Sequence, residues 1–223
     1  MKILVSSDLH LPYNMKEIYD SINKIDENID IIILAGDIID NKQHIYLKKI
    51  YYMLNQKFNN KKIFSTFGNN EASFLLDDKN YKDYYKKEYN SFIWLDYDFY
   101  DLGDYYIVGF EGFPDRTWKL SNISEIKKYY ISKLRSIFEK LDKKIIVFSH
   151  YGLSRDTVLG DPGPLWALYS PDIQNLIEEY SDKIIIGFHG HVHQAANIRA
   201  KLNNTEIYNV AFPIHKRFLI FEV

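Results

Sequence analysis

Five short apolar runs along the chain are each followed by side chains of the types that bind metal ions. These side chains are Asp8, His10, Asp37, Asn69, His150, His191 and His193. Carboxylate, imidazole and amide groups are ligands for Mn²⁺, Fe, Zn²⁺ and similar ions. Seven such groups exceed the needs of one ion with an open position, and they suit two ions about 3.5–4 Å apart that share a bridging carboxylate. Such a pair activates a bound water and clamps an anionic substrate, which is the chemistry of phosphate ester hydrolysis.

Each of these signals is weak when it is taken alone. A Gly36-Asp37 pair after a strand is usually only a turn, and Asp8-x-His10 by itself says little. His191 and His193 are more informative, because alternate residues of an extended chain lie on the same face. Five loops that carry such groups, all at the same kind of position, favour a shared site over unrelated turns.

The apolar runs have the composition of buried strands. We predict strands at residues 3–5, 31–34, 63–64, 145–148 and 184–186. Continuous runs rich in β-branched residues are typical of strands covered on both faces. Helical periodicity between the runs predicts amphipathic helices that begin near Met15, Leu47, Ile123 and Ile173. Because ligands of open α/β sheets bind beyond the carboxyl ends of the strands, we expect the five loops to meet at one edge.

Two regions depart from the alternation of strand and helix. Residues 91–110 are aromatic and partly alternating, with a turn near Gly103-Asp104, and predict a hairpin. Residues 195–223 also predict antiparallel strands, with a turn at Asn203-Asn204. The whole pattern indicates an α/β fold in which two packed sheets are flanked by helices. For a chain of 223 residues we expect a single domain that spans residues 1–223.

The composition excludes several other kinds of protein. The chain contains no Cys, which excludes a disulfide framework, a thiolate zinc site and a Cys nucleophile. A net charge of -2 gives no basic footprint, so a nucleic-acid partner is not favoured, although a local basic patch is left open. No apolar run approaches the ~18 residues of a membrane span, and too few apolar residues follow Lys2 for a signal peptide. We therefore expect a cytoplasmic protein without a membrane partner.

The combined motifs resemble those of the calcineurin-like metallophosphoesterases. In the order of that family, they are Asp8-x-His10, Gly36-Asp37, Gly68-Asn69-x-Glu71, His150 and Gly190-His191-x-His193. They span residues 8–193, which is most of the chain. The resemblance implies a sandwich of two mixed β-sheets flanked by helices, and a metal-dependent phosphoric ester hydrolase.

The same resemblance implies a role for each ligand. One ion would be held by Asp8, His10 and His193. The other ion would be held by Asn69, His150 and His191. Asp37 would bridge the two ions. We expect two divalent metal ions, manganese first, with iron, zinc, nickel or cobalt as alternatives.

Asn70 is the motif position that departs from the family, where a His is common. In the family that His is thought to bind the phosphate and to protonate the leaving group, so Asn70 occupies the expected catalytic position. An amide donates hydrogen bonds but is not a general acid near neutral pH, and general acid help is worth about 10²–10⁴ in rate. Asn70 could still hold a non-bridging phosphate oxygen. Some branches of the family also lack this His, so the change favours good leaving groups or an acid supplied elsewhere.

Two further residues are candidates for contact with the substrate. Arg155 lies in the long connection 151–169 and could bind a phosphate bidentately; the alternative is a loop packed down by its own aromatic residues. His44 follows the second motif and could supply an acid; the alternative is an exposed residue at a helix start. We expect a small phosphate ester as the substrate, and a homo-oligomer is left open.

These observations predict a dinuclear metal-dependent phosphoesterase in which a metal-bound hydroxide attacks phosphorus in line. A phosphodiesterase is expected first, because Asn70 replaces the usual acid. The alternatives are a phosphomonoesterase acting on nucleotides or phosphoproteins, and a non-catalytic metal-binding scaffold on the same fold. The scaffold is disfavoured because every ligand position is filled. A nuclease would need a basic track beside the cleft, and the sequence shows none clearly.

Overall fold

Strands and helices alternate along the chain in the computed structural model, which describes residues 1–72, 79–116 and 122–223. The strands are β1 (Lys2–Ser6), β2 (Ile31–Ala35), β3 (Lys62–Thr66), β4 (Ile93–Trp94), β5 (Asp98–Asp101), β6 (Tyr105–Phe110), β7 (Lys144–Ser149), β8 (Ile184–His189), β9 (Arg199–Leu202), β10 (Thr205–Asn209) and β11 (Leu219–Glu222). The helices are α1 (Met15–Asn23), α2 (Ile45–Phe58), α3 (Lys79–Glu88), α4 (Ile123–Lys140), α5 (Leu165–Leu168), α6 (Pro171–Glu179) and α7 (Phe212–His215). The five strands predicted from apolar runs are confirmed as β1, β2, β3, β7 and β8. Within the described ranges, no helix has both the length and the apolar character that a membrane span requires.

The strands form two sheets of mixed direction. The first sheet has the order β11-β1-β2-β3-β4, with β11 antiparallel to β1 and the other neighbours parallel. The second has the order β5-β6-β7-β8-β10-β9, with a parallel centre and antiparallel edge strands β5 and β9. The predicted α/β fold of two mixed sheets flanked by helices is confirmed.

Alternate residues of the central strands face two different apolar layers. Ile3 and Val5 lie in the cluster between the two sheets, whereas Leu4 lies in the cluster with helices α1, α2 and α3. In β7, Phe148 faces the other sheet and Val147 faces helices α4 and α6. Because successive side chains of a strand point to opposite sides, strands buried on both faces are largely apolar along their length. This double burial explains the continuous apolar runs in the sequence.

The aromatic region before residue 110 differs from the predicted single hairpin. Only β5 and β6 form a hairpin, with Gly103 in its turn. Strand β4 instead pairs in parallel with β3 of the first sheet. Its Trp94 is buried and stacks on Phe67 with the ring centroids 4.7 Å apart. Burial of this ring therefore draws β4 into the first sheet, and the chain crosses to the second sheet only after it.

The C-terminal region divides between the sheets in a similar way. Strands β9 and β10 form the predicted hairpin, and Asn203 adopts a left-handed φ of 52° in its turn. Strand β11 pairs with β1 of the first sheet rather than with the hairpin. The last strand therefore closes the edge of the first sheet.

The sequence does not predict helix α3, because most of its residues are charged or tyrosine. Tyr85 is nevertheless buried, and so is Lys82. The Lys82 ammonium lies 2.7 Å from Glu111 Oε2 and 3.1 Å from Asp96 Oδ1. Asp96 precedes β5 and Glu111 follows β6, so this buried ion pair joins a helix of the first sheet to the second sheet.

The carboxyl ends of β1, β2, β3, β7 and β8 meet at one side of the sandwich. In the first sheet Ser6 pairs with Leu34, which pairs with Ser65. In the second sheet Ser149 pairs with His189. Two hydrogen bonds then connect the sheets, because Ser7 N–H donates to Val210 O and Phe212 N–H donates to Ser7 O. The loops predicted to share one sheet edge therefore come from two sheets that face each other.

Candidate metal centre

The first predicted ligand set converges on the carboxylate of Asp8. His193 Nε2 lies 3.1 Å from Asp8 Oδ1, and His10 Nε2 lies 3.9 Å from the same oxygen. Asp8 is fully buried. The Ser7 hydroxyl and the His191 N–H donate to its carboxylate and hold it in place. The structure thus brings Asp8, His10 and His193 together as one group.

The second predicted set converges on His150 Nε2. Asn69 Oδ1 lies 3.0 Å and His191 Nδ1 lies 3.1 Å from this nitrogen. Asp37 Oδ2 is 3.6 Å from it and 3.9 Å from His10 Nε2 of the first set. Asp37 therefore lies between the two sets, where a bridging ligand has to be.

His10 Nε2 provides a test of whether a cation fits between these groups. This atom is buried and has no hydrogen-bond partner within the described part of the chain. Buried polar atoms without a partner are rare in folded proteins and call for an explanation. A cation among His10, Asp8 and Asp37 would give Nε2 the partner it lacks. The Asp40 carboxylate, 3.6 Å from His10 Nδ1, favours a proton on that nitrogen and leaves the Nε2 lone pair for an ion.

His150, like His10, has one ring nitrogen facing the candidate ligands and the other facing an acceptor. Its Nδ1 lies 3.4 Å from the carbonyl oxygen of Ala35 at the end of β2. The carbonyl can only accept, so it favours a proton on Nδ1, and Nε2 is the nitrogen that faces the other candidate ligands. The imidazole is fully buried, so its position is set by the strand ends.

The carboxylates and imidazoles of the candidate centre shift one another's pKa values. Burial raises the pKa of Asp8, but the contacts with His193 and His150 outweigh it and hold that pKa below its usual value. Burial, together with the charge of His150, lowers the pKa of His191 to about 3. Burial opposes protonation of His150, yet Asp37 and Asp8 raise its pKa above the usual value. Ionised carboxylates and neutral imidazoles are the forms that bind metals, so a cation bound here would take the place of the proton that Asp37 and Asp8 favour on His150.

Four of the predicted ligands have left-handed backbone conformations. They are Asp8 (φ 55°), His10 (φ 46°), Asp37 (φ 47°) and His191 (φ 67°). Such conformations cost about 1–3 kcal/mol each for residues other than Gly, and they cluster at ligand sites. Here they are held by backbone hydrogen bonds, from Asp8 N–H to Gly36 O and from His10 N–H to Asp37 O. These backbone conformations therefore direct the four side chains towards the candidate metal centre.

Glu71 ties the second and third motif loops together. Its fully buried carboxylate accepts hydrogen bonds from the backbone N–H groups of Asp37 (2.9 Å), Gly68 (2.8 Å) and Ile39 (3.0 Å). Burial and the Asp37 carboxylate raise the pKa of Glu71 to about 8, against the opposing effect of the backbone donors. The sequence places Glu71 in a motif but does not predict this role.

Gly68 and Gly190 allow the carboxylates to approach the backbone closely. A Cβ atom at Gly68 would overlap the Asp37 carboxylate, and one at Gly190 would overlap the Asp8 carboxylate and the Ser7 hydroxyl. Any larger residue at either position would push a candidate ligand out of place.

The Asn70 side chain is directed at the candidate bridging carboxylate. Its backbone N–H donates to Asp37 Oδ1 (2.8 Å) and its Nδ2 donates to Asp37 Oδ2 (2.7 Å). The Asn41 N–H donates to Asn70 Oδ1 (3.3 Å), and the Lys42 N–H donates to Asn70 O (3.0 Å). Asn70 therefore orients Asp37, a role that the sequence does not predict.

The predicted substrate contacts lie on exposed parts of the protein. Arg155 is exposed, and its backbone N–H donates to Gln174 Oε1 in α6. His44 is exposed at the start of α2, and its ring packs near Tyr84 and Tyr89. A contact of either residue with the substrate stays a prediction.

The connection 151–169 is packed against the protein. Val158, Leu168 and Tyr169 form an apolar cluster with Val192, which lies between the candidate ligands of the fifth motif. Asp161 Oδ2 accepts hydrogen bonds from the backbone N–H groups of His193 (3.0 Å) and Gln194 (3.3 Å). This loop therefore positions His193, and the sequence does not predict that role for Asp161.

Comparison with known proteins gives a family and several related folds. A model of the calcineurin-like phosphoesterase family matches residues 1–195. The phosphopantetheinyl hydrolase PptH from Mycobacterium tuberculosis matches with a TM-score of 0.66 and 15% identity, over 95% of this chain and 90% of that chain. The protein TT1561 of Thermus thermophilus matches with a TM-score of 0.61 and 12% identity, over 99% and 98% of the two chains. A 5'-nucleotidase from Candida albicans matches with a TM-score of 0.54 and 15% identity, over 98% of this chain but 50% of that chain. None of the curated proteins matches this chain in sequence.

Removal of the Asp37 carboxylate should weaken the binding of metal ions. We expect chelator-treated protein to bind two Mn²⁺ ions per chain in calorimetric titration. Loss of an outer partner of a metal ligand costs about 10–100-fold in affinity, so we expect Asp37→Asn to cost at least about 100-fold. Asp101→Asn, which changes an exposed carboxylate of β5, is the matched control. Unchanged Mn²⁺ binding by Asp37→Asn would show that Asp37 is not a ligand.

Replacement of Glu71 by the isosteric Gln should destabilise the fold. One of the two accepting oxygens becomes an NH2 group that faces a backbone donor, and an unmet buried hydrogen bond costs about 1–3 kcal/mol. We expect Glu71→Gln to lower the free energy of unfolding by roughly 2 kcal/mol. Urea unfolding of chelator-treated protein at pH 9, above the pKa of about 8 that Glu71 has in the fold, measures this without any contribution from bound ions. The exposed Glu17→Gln in α1 is the control. Equal unfolding midpoints and slopes for the two variants would contradict the role given to Glu71.

Proposed function

Since the chain belongs to the calcineurin-like phosphoesterase family of metal-dependent phosphate ester hydrolases, we propose that it is a dinuclear phosphodiesterase. The observation that supports two ions is the position of Asp37, whose Oδ2 lies 3.6 Å from His150 Nε2 and 3.9 Å from His10 Nε2. A single carboxylate oxygen thus faces one imidazole from each ligand set. The cytoplasmic location expected from the sequence stays a prediction.

Each ligand set would hold one of the two ions. Asp8, His10 and His193 would hold one ion. Asn69, His150 and His191 would hold the other. When bound, two divalent ions activate a water for attack on phosphorus and neutralise the phosphoryl oxygens. The mixture of carboxylate, amide and imidazole ligands favours manganese as the first metal to test.

Protonation of the leaving group is the step to which these residues contribute least. Asn70 occupies the position of the expected acid, and its amide donates to Asp37 rather than carrying a proton that it could release. The esters hydrolysed fastest should therefore be those whose leaving group departs as an anion without help. Diesters and monoesters with an acidic leaving group both meet this condition, so the two classes have to be compared with the same leaving group.

A direct assay separates the diesterase from its alternatives. We expect Mn²⁺-loaded protein to hydrolyse bis(4-nitrophenyl) phosphate with a kcat/KM at least about tenfold above that for 4-nitrophenyl phosphate, a difference of ~1.4 kcal/mol in the barrier. Asp37→Asn is the inactive control for contaminating enzymes. A preference for the monoester would identify a phosphomonoesterase instead. Activity on neither ester, with two ions bound, would identify a non-catalytic scaffold.

The identity of residue 70 should control the dependence on the leaving group. We expect the wild-type rate to fall steeply as the pKa of the leaving alcohol rises across a series of aryl and alkyl diesters. Asn70→His would supply an acid, and general acid help is worth about 10²–10⁴ in rate, so the variant should gain most on the poorest leaving groups. Asn70→Asp, which has no proton to give at neutral pH, is the control. A shallow wild-type dependence that Asn70→His leaves unchanged would show that the acid comes from another residue.

A further inference from the structure

An exposed aromatic surface lies at the starts of helices α2 and α3, next to the loop that donates hydrogen bonds to Asn70. It consists of Lys42, His44, Tyr81 and Tyr84, and we call it the tyrosine patch. Tyr81 is 46% exposed and Tyr84 is 40% exposed. Aromatic side chains exposed as a group mark places where a ligand or partner binds.

The side chains of the tyrosine patch are held against one another and against the core. The Lys42 ammonium lies 3.9 Å from the centroid of the Tyr81 ring. The rings of His44 and Tyr84 meet edge to face, with centroids 5.7 Å apart. The ring of Tyr84 also contacts the ring of the buried Tyr89, with centroids 6.2 Å apart. The patch therefore presents aromatic surface that is already ordered before a ligand arrives.

Backbone hydrogen bonds connect the tyrosine patch to the candidate metal centre. The N–H of Lys42 donates to Asn70 O, and the N–H of the preceding Asn41 donates to Asn70 Oδ1. Asn70 in turn donates to both oxygens of Asp37. Only Asn70 stands between the backbone of Lys42 and the candidate bridging carboxylate. The loop that carries Lys42 therefore borders the candidate metal centre, and the patch begins at that loop.

We propose that the tyrosine patch binds the nucleobase of a nucleoside phosphate ester whose phosphate lies at the metal centre, an inference that rests on the proposed function. Exposed tyrosine rings stack on the π-face that every nucleobase presents. A polynucleotide would also need a basic groove along its backbone, and a net charge of -2 favours a small nucleotide instead. The ligand proposed for the patch is therefore a single base attached to a single phosphate ester.

The test compares two phosphates that differ only in the base. Adenosine 5'-monophosphate and ribose 5-phosphate carry the same sugar and phosphate, and their dissociation constants for Mn²⁺-loaded protein are measured by calorimetry. We expect the nucleotide to bind at least about tenfold more tightly, the ratio produced by ~1.4 kcal/mol of stacking. Tyr81→Ala should bring the ratio of the two constants towards one, and Tyr81→Phe should keep it. Tyr19→Ala, which removes a tyrosine of α1 that is 54% exposed, should leave both constants unchanged.

The outcomes separate this inference from the proposed function. Equal dissociation constants for the two phosphates in the wild-type protein would overturn the inference, and hydrolysis of phosphodiesters would still support the enzyme. A ratio that survives Tyr81→Ala and Tyr84→Ala would also overturn it, because the base would then bind elsewhere. A failure of the diester assay overturns the proposed function, whatever the two constants are.

Discussion

One buried carboxylate, that of Glu71, sets the geometry on which the candidate centre depends. It accepts three backbone hydrogen bonds, and the donors come from the two loops that follow β2 and β3. Asp37 has a left-handed backbone, which is unfavourable for Asp unless its neighbours hold it. Glu71 provides that hold, because Asp37 N–H is one of its donors. The direction of the Asp37 carboxylate, and with it the distance between the two ligand sets, follows from a side chain that need not touch an ion.

The second constraint is the packing of the two sheets, because each sheet carries part of the centre. Asp8, Asp37 and Asn69 follow strands of the first sheet, whereas His150 and His191 follow strands of the second. The apolar cluster between the sheets, which includes Val5 and Phe148, determines how close these loops come. The buried Lys82–Glu111 pair joins the sheets again, and the backbone carbonyl of Glu111 accepts from His150 N–H. The second set of candidate ligands is therefore positioned by contacts that cross the sandwich.

The sequence predicts the central strands and the motifs that follow them. It does not predict features that depend on contacts between residues far apart in the chain. Continuous apolar runs identify the central strands because burial on both faces leaves no other composition. The ends of those strands then predict the ligand set. The position of β4 depends on contacts of Trp94 with distant residues, among them its stacking on Phe67, and local alternation cannot show them. The role of Asp161 was equally hidden, because a turn carboxylate receives the backbone N–H of His193 only in the folded chain.

Asn70 shows how one substitution can exchange a chemical role for a structural one. Its amide offers a donor to Asp37 and an acceptor to Asn41 at the same time, and both are used. A neutral imidazole also has one donor and one acceptor, but they point in opposite directions from a rigid ring, so the same two partners would not both be met. Asn70 therefore links the candidate bridging carboxylate to the loop that carries Lys42. Without an acid at this position the proposed hydrolysis would depend more on the leaving group of the substrate, and the proposed binding of the ester's organic group at the tyrosine patch would be the remaining means by which this loop promotes the reaction.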